Sequence, residues 1–322
     1  MRSVTTTPKE PNRCAKLGAV ARNVHYPSGH RVRDIGADSV CRMTTTTTHS
    51  ESSVPTSSFG DARPIGEQLR AWRQRRRLSQ LELASEADVS TRHLSFVETG
   101  RSAPSRDMVL RLAEHLDVPL RDRNLLLVAA GYAPMYAETP MEEPRMDAVR
   151  GALRQVLDGH QPYPAVVVDR FWNLVDANAA ASIFTEFAPP HLMEPPVNVL
   201  RLSMHPDGIA KNIINLGEWR AHMVDRVRRH VALTADPALE RLYKELRDFP
   251  GSDPLEEAAL PSAGHEVFVP LRIRVDDVEL SFFSTIATFG TPVDITVAEL
   301  AIESFYPADV TTSEFLRARA GW

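Results

Sequence analysis

Five short helical segments follow one another between residues 65 and 131, and their spacing is the strongest constraint on the fold. Ser79 and Glu82 have the pattern of a capping box, in which each side chain binds the backbone N–H of the other residue, so a helix begins there. Ser90 is a typical N-cap for the next segment, and Gly131 ends the last one. Five helices over this length predict a compact all-α unit.

The second and third segments are separated by a break of only three residues, Asp88–Ser90. Two short helices joined by a tight break are typical of a helix-turn-helix, whose second helix lies in the major groove of DNA. Leu94 and Val97 supply the apolar side of that helix. Its polar side consists of Thr91, Arg92 and Ser95. Arg92 can donate two hydrogen bonds to one guanine, a contact worth roughly 1–3 kcal/mol of discrimination.

Further motifs occur in order around this break. They are Leu78–Ala84, Val89–Ser90, Leu94–Ser95, Glu98–Arg101 and Pro104–Ser105. Together they resemble the lambda-repressor-like (xenobiotic-response-element, Cro-type) helix-turn-helix family. Asp88 stands where that family usually has glycine, but Asp adopts the left-handed conformation at modest cost, so we expect the turn to be kept.

The resemblance implies a DNA-binding domain in which Gln80, at the start of the second helix, reaches a phosphate or a base edge. Phe96 takes a groove-facing position, where it contacts a thymine methyl or instead packs inward, and Arg101 contacts the DNA backbone. The expected DNA-binding residues are therefore Gln80, Ser90, Thr91, Arg92, Ser95, Phe96 and Arg101. The alternative is a helical bundle that binds another protein, with the arginines of 73–77 as a solvated face.

Charge is distributed unevenly along the chain, whose net charge is −5. Residues 1–58 carry 8 Lys/Arg and 4 Asp/Glu, residues 59–134 carry 12 and 10, and residues 135–322 carry 17 and 28. The acidic second half is repelled by phosphate, so contact with nucleic acid is expected from the first half. The small excess of positive charge in residues 59–134 predicts that a monomer binds DNA with modest affinity. We therefore expect a homodimer on a double-stranded operator.

The first 58 residues lack apolar periodicity and contain threonine and serine runs, which predicts a disordered tail. An organelle transit peptide is the alternative, and Met43 is an alternative start of translation. Both cysteines, Cys14 and Cys41, lie in this tail, so a disulfide scaffold is not expected elsewhere. The sequence has no long apolar run and no secretory signal, and we expect a cytoplasmic protein without membrane contact.

Prolines mark a linker over residues 133–144, between a helix-turn-helix domain at 59–132 and a second domain at 145–311, with a C-terminal tail at 312–322. The second domain has strand character at both ends and helices between, which predicts an α+β fold on an antiparallel sheet. Its predicted helices are 146–157, 178–187, 209–232 and 237–247. Its predicted strands are 165–169, 173–177, 267–275, 278–289 and 305–308.

Catalytic signatures are missing from the second domain. A zincin motif fails because Val269 stands where the second histidine is needed, and His-x-His, Gly-x-Ser-x-Gly, phosphate-loop and dinucleotide-loop motifs are absent. His222 and His230 are eight residues apart, which does not suit close metal ligation. We therefore expect that the protein is not an enzyme and binds no metal ion or cofactor. The enzyme alternative needs a cleft with paired titratable groups around His205, Asp207 and His222.

Several weak motifs of the second domain occur in a fixed order. They are Tyr163–Arg170, Trp172–Asn173, Ala177–Ala180, His205–Gly208, Asn215, Trp219–Arg220, Thr234–Pro237, Phe289–Thr296 and Glu303–Asp309. Jointly they resemble the MmyB-like ligand-binding domain, a PAS-like fold found behind this type of helix-turn-helix in bacterial regulators. The resemblance implies a pocket for a small hydrophobic, fatty-acid-like ligand.

A pocket of that kind needs apolar walls and a few polar groups. The candidate ligand-binding residues are Trp172, Phe184, Trp219, Arg220, Arg226 and Phe282, with Phe187, Phe268 and Phe283 as further walls. Arg220 or Arg226 would pair with a carboxylate head group. For each aromatic residue, an ordinary core position is the alternative. The sequence thus predicts a bacterial DNA-binding transcription regulator with a ligand-sensing domain, and a ligand-free dimerisation or protein-interaction platform is the alternative role of that domain.

Overall fold

The computed structural model describes residues 63–186, 188–249 and 268–321. The predicted disordered tail, 1–58, lies outside the described residues, and so does Phe187. The described residues belong to one compact unit.

Five helices form the N-terminal part, as predicted. They are α1 (Ile65–Arg75), α2 (Gln80–Glu86), α3 (Thr91–Glu98), α4 (Arg106–His115) and α5 (Leu120–Ala129). Leu69, Leu83, Leu94 and Leu112 come from four different helices and are fully buried in one apolar cluster. Each helix therefore buries one face against the others, and this shared core holds the short helices together.

The predicted caps are present. The Ser79 hydroxyl accepts from the backbone N–H of Glu82 at 3.1 Å, and the Glu82 carboxylate accepts from the Ser79 N–H at 2.7 Å. Ser90 caps α3 by accepting from the His93 N–H at 3.1 Å. Asp88 has φ of 52°, the left-handed conformation that the helix-turn-helix break requires.

Helices α1 and α3 approach each other very closely. A Cβ on Gly66 would lie 2.2 Å from the carbonyl oxygen of Val97, so only glycine fits there. Beside this contact the Arg73 guanidinium donates to both carboxylate oxygens of Glu98, at 2.7 and 2.8 Å. Both residues are buried, and the bidentate pair fixes the position of α3 on α1.

The segment predicted as a linker, 133–144, is fastened at several points. Asn124 of α5 donates to the carbonyl of Tyr136 and accepts from the N–H groups of Met135 and Tyr136. Thr139 donates its hydroxyl to Asp294 at 2.5 Å. These bonds tie the segment both to the helical domain and to the domain that follows it.

The second domain is built on a five-stranded antiparallel sheet. Its strands are β1 (Ala165–Val168), β2 (Leu174–Ala177), β3 (Leu271–Val275), β4 (Val278–Thr288) and β5 (Ala301–Pro307), in the spatial order β2-β1-β5-β4-β3. Every neighbouring pair is antiparallel. The predicted all-α domain followed by an α+β PAS-like domain is confirmed.

Helices cover both faces of this sheet. They are α6 (Asp147–Gly159), α7 (Val199–Met204), α8 (Leu216–Thr234), α9 (Pro237–Asp248), α10 (Ile295–Ala298) and α11 (Val310–Arg319). Strand β1, between β2 and β5, is buried on both sides, because Val166 and Val168 face one apolar cluster and Ala165 and Val167 face another. A strand buried on both faces needs apolar side chains at successive positions, which the run Val166–Val168 supplies.

Several predicted elements differ from the structure; the strand predicted over 305–308, for example, begins at Ala301. The helix predicted over 209–232 is interrupted, because the Ile214 N–H donates to the Arg272 carbonyl and Asn215 bonds the backbone of Pro270 and Arg272, so α8 begins at Leu216. The helix predicted over 178–187 is a 3-10 helix, Ala179–Phe184. The predicted C-terminal tail, 312–322, mostly forms α11, because Leu316 packs into the core of the domain.

We predict that Glu98→Ala destabilises the helix-turn-helix by about 3–5 kcal/mol, because it leaves the Arg73 guanidinium buried without its counter-charge. Urea denaturation of the full chain measures this. Glu114→Ala, at an exposed position on α4, is the matched control and should change the midpoint little. Equal midpoints for the two variants would show that the pair does not hold α3.

Candidate DNA interface and interdomain cleft

The exposed side of α3 carries the residues that the sequence predicts to read DNA. Arg92 is exposed, whereas Thr91, Ser95 and Phe96 are half-buried. On the other side of the helix, Leu94 and Val97 are fully buried in the core. The helix therefore presents one polar face outward and is anchored by its apolar face, as a recognition helix requires.

Phe96 lies between two cations on this surface. The guanidinium carbon of Arg92 is 5.3 Å from the centre of the Phe96 ring, and that of exposed Arg101 is 6.0 Å from it. Both distances are within the range of cation–π contacts. Phe96 thus holds two arginines next to each other on one surface, instead of packing into the core.

Gln80 is connected to the buried pair beneath α3. Its amide nitrogen donates to Glu98 at 2.8 Å, and Glu98 also accepts both bonds from Arg73. The hydrogen bond to Glu98 is the main cause of the raised pKa of Arg73. The position of Gln80 is therefore fixed by the same carboxylate that positions α3.

The arginine run at the end of α1 is not a uniform solvated face. Arg76 donates to the carbonyls of Leu116 and Asp117 at the end of α4, at 2.8 and 2.9 Å. Arg75 instead stacks on Trp72, with 3.9 Å between its guanidinium carbon and the ring centre. Of the four arginines in the run, Arg77 is the exposed one, and Arg73 and Arg76 make tertiary hydrogen bonds.

A cleft of about 1000 Å³ lies between the helical domain and the sheet domain. On one side it is lined by α1 and α5, where Trp72, Leu125 and Val128 form apolar wall. On the other side it is lined by β1, the turn after it, α8, the turn before α9 and the region around α10, with Trp172 and Ile286 as apolar wall. The cleft thus combines apolar surface from both domains.

Arg121 forms an ion-pair bridge at the edge of this cleft. It donates to Glu299 at 2.8 Å and to Glu138 at 2.5 Å, and hydrogen bonding to Glu299 raises its pKa. Arg170 also joins the network through Asp236 at 2.9 Å and Glu299 at 3.4 Å. Because Arg121 belongs to α5 and Glu299 to the sheet domain, the network connects the two domains.

Asp122 lies in the cleft beside this network and carries a perturbed carboxyl group. Desolvation raises the pKa of Asp122 to about 6, against the lowering effect of Arg170 and Arg75 and with the help of Asp236 and Glu299. Desolvation also lowers the pKa of His230 on the opposite wall. The cleft is therefore a place where charge is poorly solvated.

The six predicted ligand-binding residues lie in two different places. Trp172 and Arg226 line the cleft, where the Arg226 guanidinium carbon is 4.6 Å from the indole centre and an Arg226 nitrogen is 3.4 Å from the Glu303 carboxylate. Phe184, Trp219 and Phe282 are buried in the core of the sheet domain. Arg220 is also buried and donates to the backbone carbonyls of Met204 and Phe249.

The core of the sheet domain is well filled around Phe184. Phe184 makes an edge-to-face contact with Phe282, with 5.8 Å between the ring centres, and its ring centre is 4.8 Å from that of Phe305. The cavity next to Phe184 has a volume of about 10 Å³, enough for one water molecule at most. Of the further predicted walls, Phe268 is exposed and Phe283 stacks on Tyr306.

Three polar residues of the sheet domain are close enough to share a ligand. The potential ligand atoms of His191, His205 and Asp207 lie within 4.8 Å of one another. However, His205 Nδ1 already accepts from the Asp207 N–H at 3.1 Å. His222, which the enzyme alternative added to this group, has its pKa lowered by desolvation and has its charged neighbours on its own helix.

Most of the cleft was not predictable from the sequence, including Arg75, Asp122 and the bridge of Arg121. Its residues come from segments far apart in the chain, and no motif marks them. One signal was present in the sequence, because Leu125 and Val128 place apolar residues on the outer side of α5. Leu125 is 46% exposed and Val128 is 38% exposed. A helix that is apolar on two faces indicates a second packing partner.

We predict that Asp122→Asn removes a pH dependence of stability. The pKa of Asp122 is raised from 3.8 to about 6 in the folded state, so folding favours the protonated carboxyl group. The free energy of unfolding of wild type therefore falls as the pH rises from about 4 to about 6, and this group changes it no further at higher pH. In urea denaturation at pH 4 and pH 7, the variant should lack this loss, which is about 1–3 kcal/mol. Asp277→Asn, in an exposed turn, should behave as wild type. An equal change in the free energy of unfolding between pH 4 and pH 7 for wild type and Asp122→Asn would refute the raised pKa of Asp122.

Comparison with known proteins identifies both domains. The profile of a helix-turn-helix domain matches residues 64–126, and the profile of the MmyB-like transcription regulator ligand binding domain matches residues 149–318. A comparison with curated proteins finds no significant match. Within the described residues, no helix has the length and apolar character needed to cross a membrane.

These matches agree with the fold and with the exposed face of α3. They indicate a regulator rather than an enzyme, with DNA as the partner of the first domain and a ligand as the partner of the second. Because the second match covers more than half of the 322 residues, the family is established. The chain belongs to the MmyB-like transcription regulators, DNA-binding proteins that carry a ligand-binding domain behind a helix-turn-helix.

Proposed function

We propose that the chain binds a double-stranded operator in the cytoplasm as a homodimer, and that its second domain senses a small hydrophobic, fatty-acid-like molecule. The observation that carries the first part is the outward polar face of α3. The proposed contacts are made by Gln80, Ser90, Thr91, Arg92, Ser95, Phe96 and Arg101. Arg92 reads a base edge, whereas Arg101 contacts the backbone and positions the helix.

Dimerisation follows from the limited positive charge of the helix-turn-helix domain. The acidic second half of the chain is repelled by phosphate, so each recognition helix gains little from long-range attraction. In a dimer, each copy contacts one half-site of the operator, and the two sets of contacts add. The affinity for DNA then reaches the range typical of specific operator binding.

The ligand part of the proposal is supported by apolar surface that is accessible from solvent. Trp172 and Arg226, two of the predicted ligand residues, line the interdomain cleft. An apolar wall next to a guanidinium suits a molecule with an apolar body and a polar head.

A second candidate function has an observation in its favour. The core of the sheet domain is filled around Phe184, where the cavity is only about 10 Å³. A filled interior is expected if the domain is a dimerisation or interaction platform without a ligand of its own. In that case the purified protein carries no small molecule and none changes its affinity for DNA.

We predict that Arg92→Ala lowers sequence preference and leaves the fold intact, because Arg92 is exposed and its loss opens no cavity. The difference in binding free energy between operator and random DNA, measured by fluorescence anisotropy, should fall by roughly 1–3 kcal/mol, the value of one base contact. Arg274→Ala makes the same charge change on an exposed position of β3 and is the matched control. Wild-type discrimination by Arg92→Ala would refute the role of this residue.

Native mass spectrometry of the purified full chain tests the other two parts. We expect the mass of a dimer and, after denaturation, release of a small hydrophobic molecule in stoichiometric amount. A monomer at operator-binding concentrations would contradict the dimer. A clean apo mass, together with operator affinity that does not respond to added fatty acids, would favour the platform.

A further inference from the structure

We propose that His191, His205 and Asp207 form a binding site for one divalent transition-metal cation, and that Zn²⁺ is the ion that suits them best. The site lies in the sheet domain, at the C-terminal end of α7, and none of these three residues lines the interdomain cleft. The proposal goes beyond DNA binding and ligand sensing and depends on neither of them. It departs from the expectation, drawn from the lack of sequence motifs, that the protein binds no metal ion.

Two separate segments of the sheet domain bring the potential metal ligands together. His191 belongs to a short 3-10 helix, Pro190–Leu192, whereas His205 and Asp207 belong to the turn that follows α7. Their potential ligand atoms lie within 4.8 Å of one another, and 3.9 Å separates His205 Nδ1 from Asp207 Oδ2. In a tetrahedral zinc site with bonds of about 2.0–2.2 Å, the ligand atoms are roughly 3.3–3.6 Å apart, so small side-chain rotations close the site.

A hydrogen bond shows which nitrogen of His205 can bind a metal ion. The backbone N–H of Asp207 donates to His205 Nδ1 at 3.1 Å, so Nδ1 carries a lone pair and the hydrogen of the neutral ring is on Nε2. A metal ion needs an unprotonated ring nitrogen, and Nδ1 is also the nitrogen close to the Asp207 carboxylate. An ion bound there replaces one neutral hydrogen bond and gains an imidazole and a carboxylate as ligands.

The side chains of His191 and Asp207 are available to an ion. Among the described residues, no hydrogen bond occupies the His191 ring or the Asp207 carboxylate, and both residues are exposed. The His191 ring makes an edge-to-face contact with the His205 ring, with 5.8 Å between the ring centres. This contact keeps the two imidazoles next to each other, while the exposed side chains remain able to rotate towards an ion.

The turn that carries two of the ligands has a well-fixed backbone. The N–H of His205 donates to the Arg201 carbonyl in α7, and the His205 carbonyl accepts from the Gly208 N–H, both at 2.8 Å. A Cβ on Gly208 would lie 2.3 Å from the carbonyl oxygen of Leu202, so the turn is pressed against α7 and only glycine fits there. The His205 ring also packs against Phe249, with 5.2 Å between the ring centres. Binding an ion therefore requires little ordering of this part of the chain.

The types of ligand atom select the class of ion. Two imidazole nitrogens and one carboxylate oxygen suit Zn²⁺, whereas Mg²⁺ and Ca²⁺ prefer oxygen ligands alone. Three protein ligands leave a fourth position for water, on the side where His191 and Asp207 are exposed. An ion held in this way connects the 3-10 helix to the end of α7, so its binding stabilises the folded sheet domain.

Isothermal titration of Zn²⁺ into the metal-free full chain, prepared without an affinity tag, tests the proposal. We expect one ion per chain. His191→Gln and Asp207→Asn should each weaken the binding of Zn²⁺ at least roughly tenfold, because each removes one of the three protein ligands. His115→Gln and Asp277→Asn make the same chemical changes at exposed positions elsewhere and are the matched controls, which should bind Zn²⁺ as wild type does.

Urea denaturation followed by circular dichroism gives a second readout. Saturating Zn²⁺ should raise the unfolding midpoint of wild type and of both controls, and it should raise the midpoints of His191→Gln and Asp207→Asn much less. Without Zn²⁺ these two variants should unfold at the midpoint of wild type, because both substitutions are at exposed positions. Mg²⁺ at the same concentration should leave every midpoint unchanged.

Three results would overturn the site. Binding that is as tight in His191→Gln and Asp207→Asn as in wild type places the ion on other side chains of the protein. One ion per two chains places it between copies, with ligands that a single chain does not supply. No heat of binding and no change in the wild-type midpoint show that the cluster does not bind Zn²⁺. Operator binding and the release of a small molecule are measured separately and are not affected by any of these results.

Discussion

The buried pair of Arg73 and Glu98 is the interaction on which the arrangement of the DNA-binding surface depends. It joins α1 to α3 through two short hydrogen bonds, and Gln80 at the start of α2 adds a third to the same carboxylate. Three helices of the helix-turn-helix therefore share one charged centre. Because a buried charge without its partner is strongly unfavourable, this centre permits one relative position of the helices and excludes others.

The same helix that holds the recognition helix also forms a wall of the interdomain cleft. Arg73 points to α3, whereas its neighbours Trp72 and Arg75 line the cleft. On the other side of the cleft, Glu299 pairs with Arg121 of α5 and so connects the sheet domain to the helical domain. Charged contacts thus connect the two domains of the regulator where they meet.

The local features of the fold were predictable because they depend on neighbouring residues. The capping box of Ser79 and Glu82, the N-cap at Ser90 and the left-handed Asp88 all depend on residues within one turn of each other. The hairpin of β1 and β2 was found for the same reason. The interruption before Leu216 was not predictable, because it is imposed by hydrogen bonds to Pro270 and Arg272, which are distant in the sequence.

The candidate sites divide in the same way. The sequence by itself determined the recognition helix, since its polar and apolar sides alternate with the period of a helix, and it determined the class of each domain. Only the tertiary structure decided which aromatic residues lie wholly inside the core, such as Phe282, and which core residues also border the cleft, such as Trp172. Strand alternation requires apolar residues in both situations, and what lies opposite each of them depends on how helices and strands from distant parts of the chain pack together.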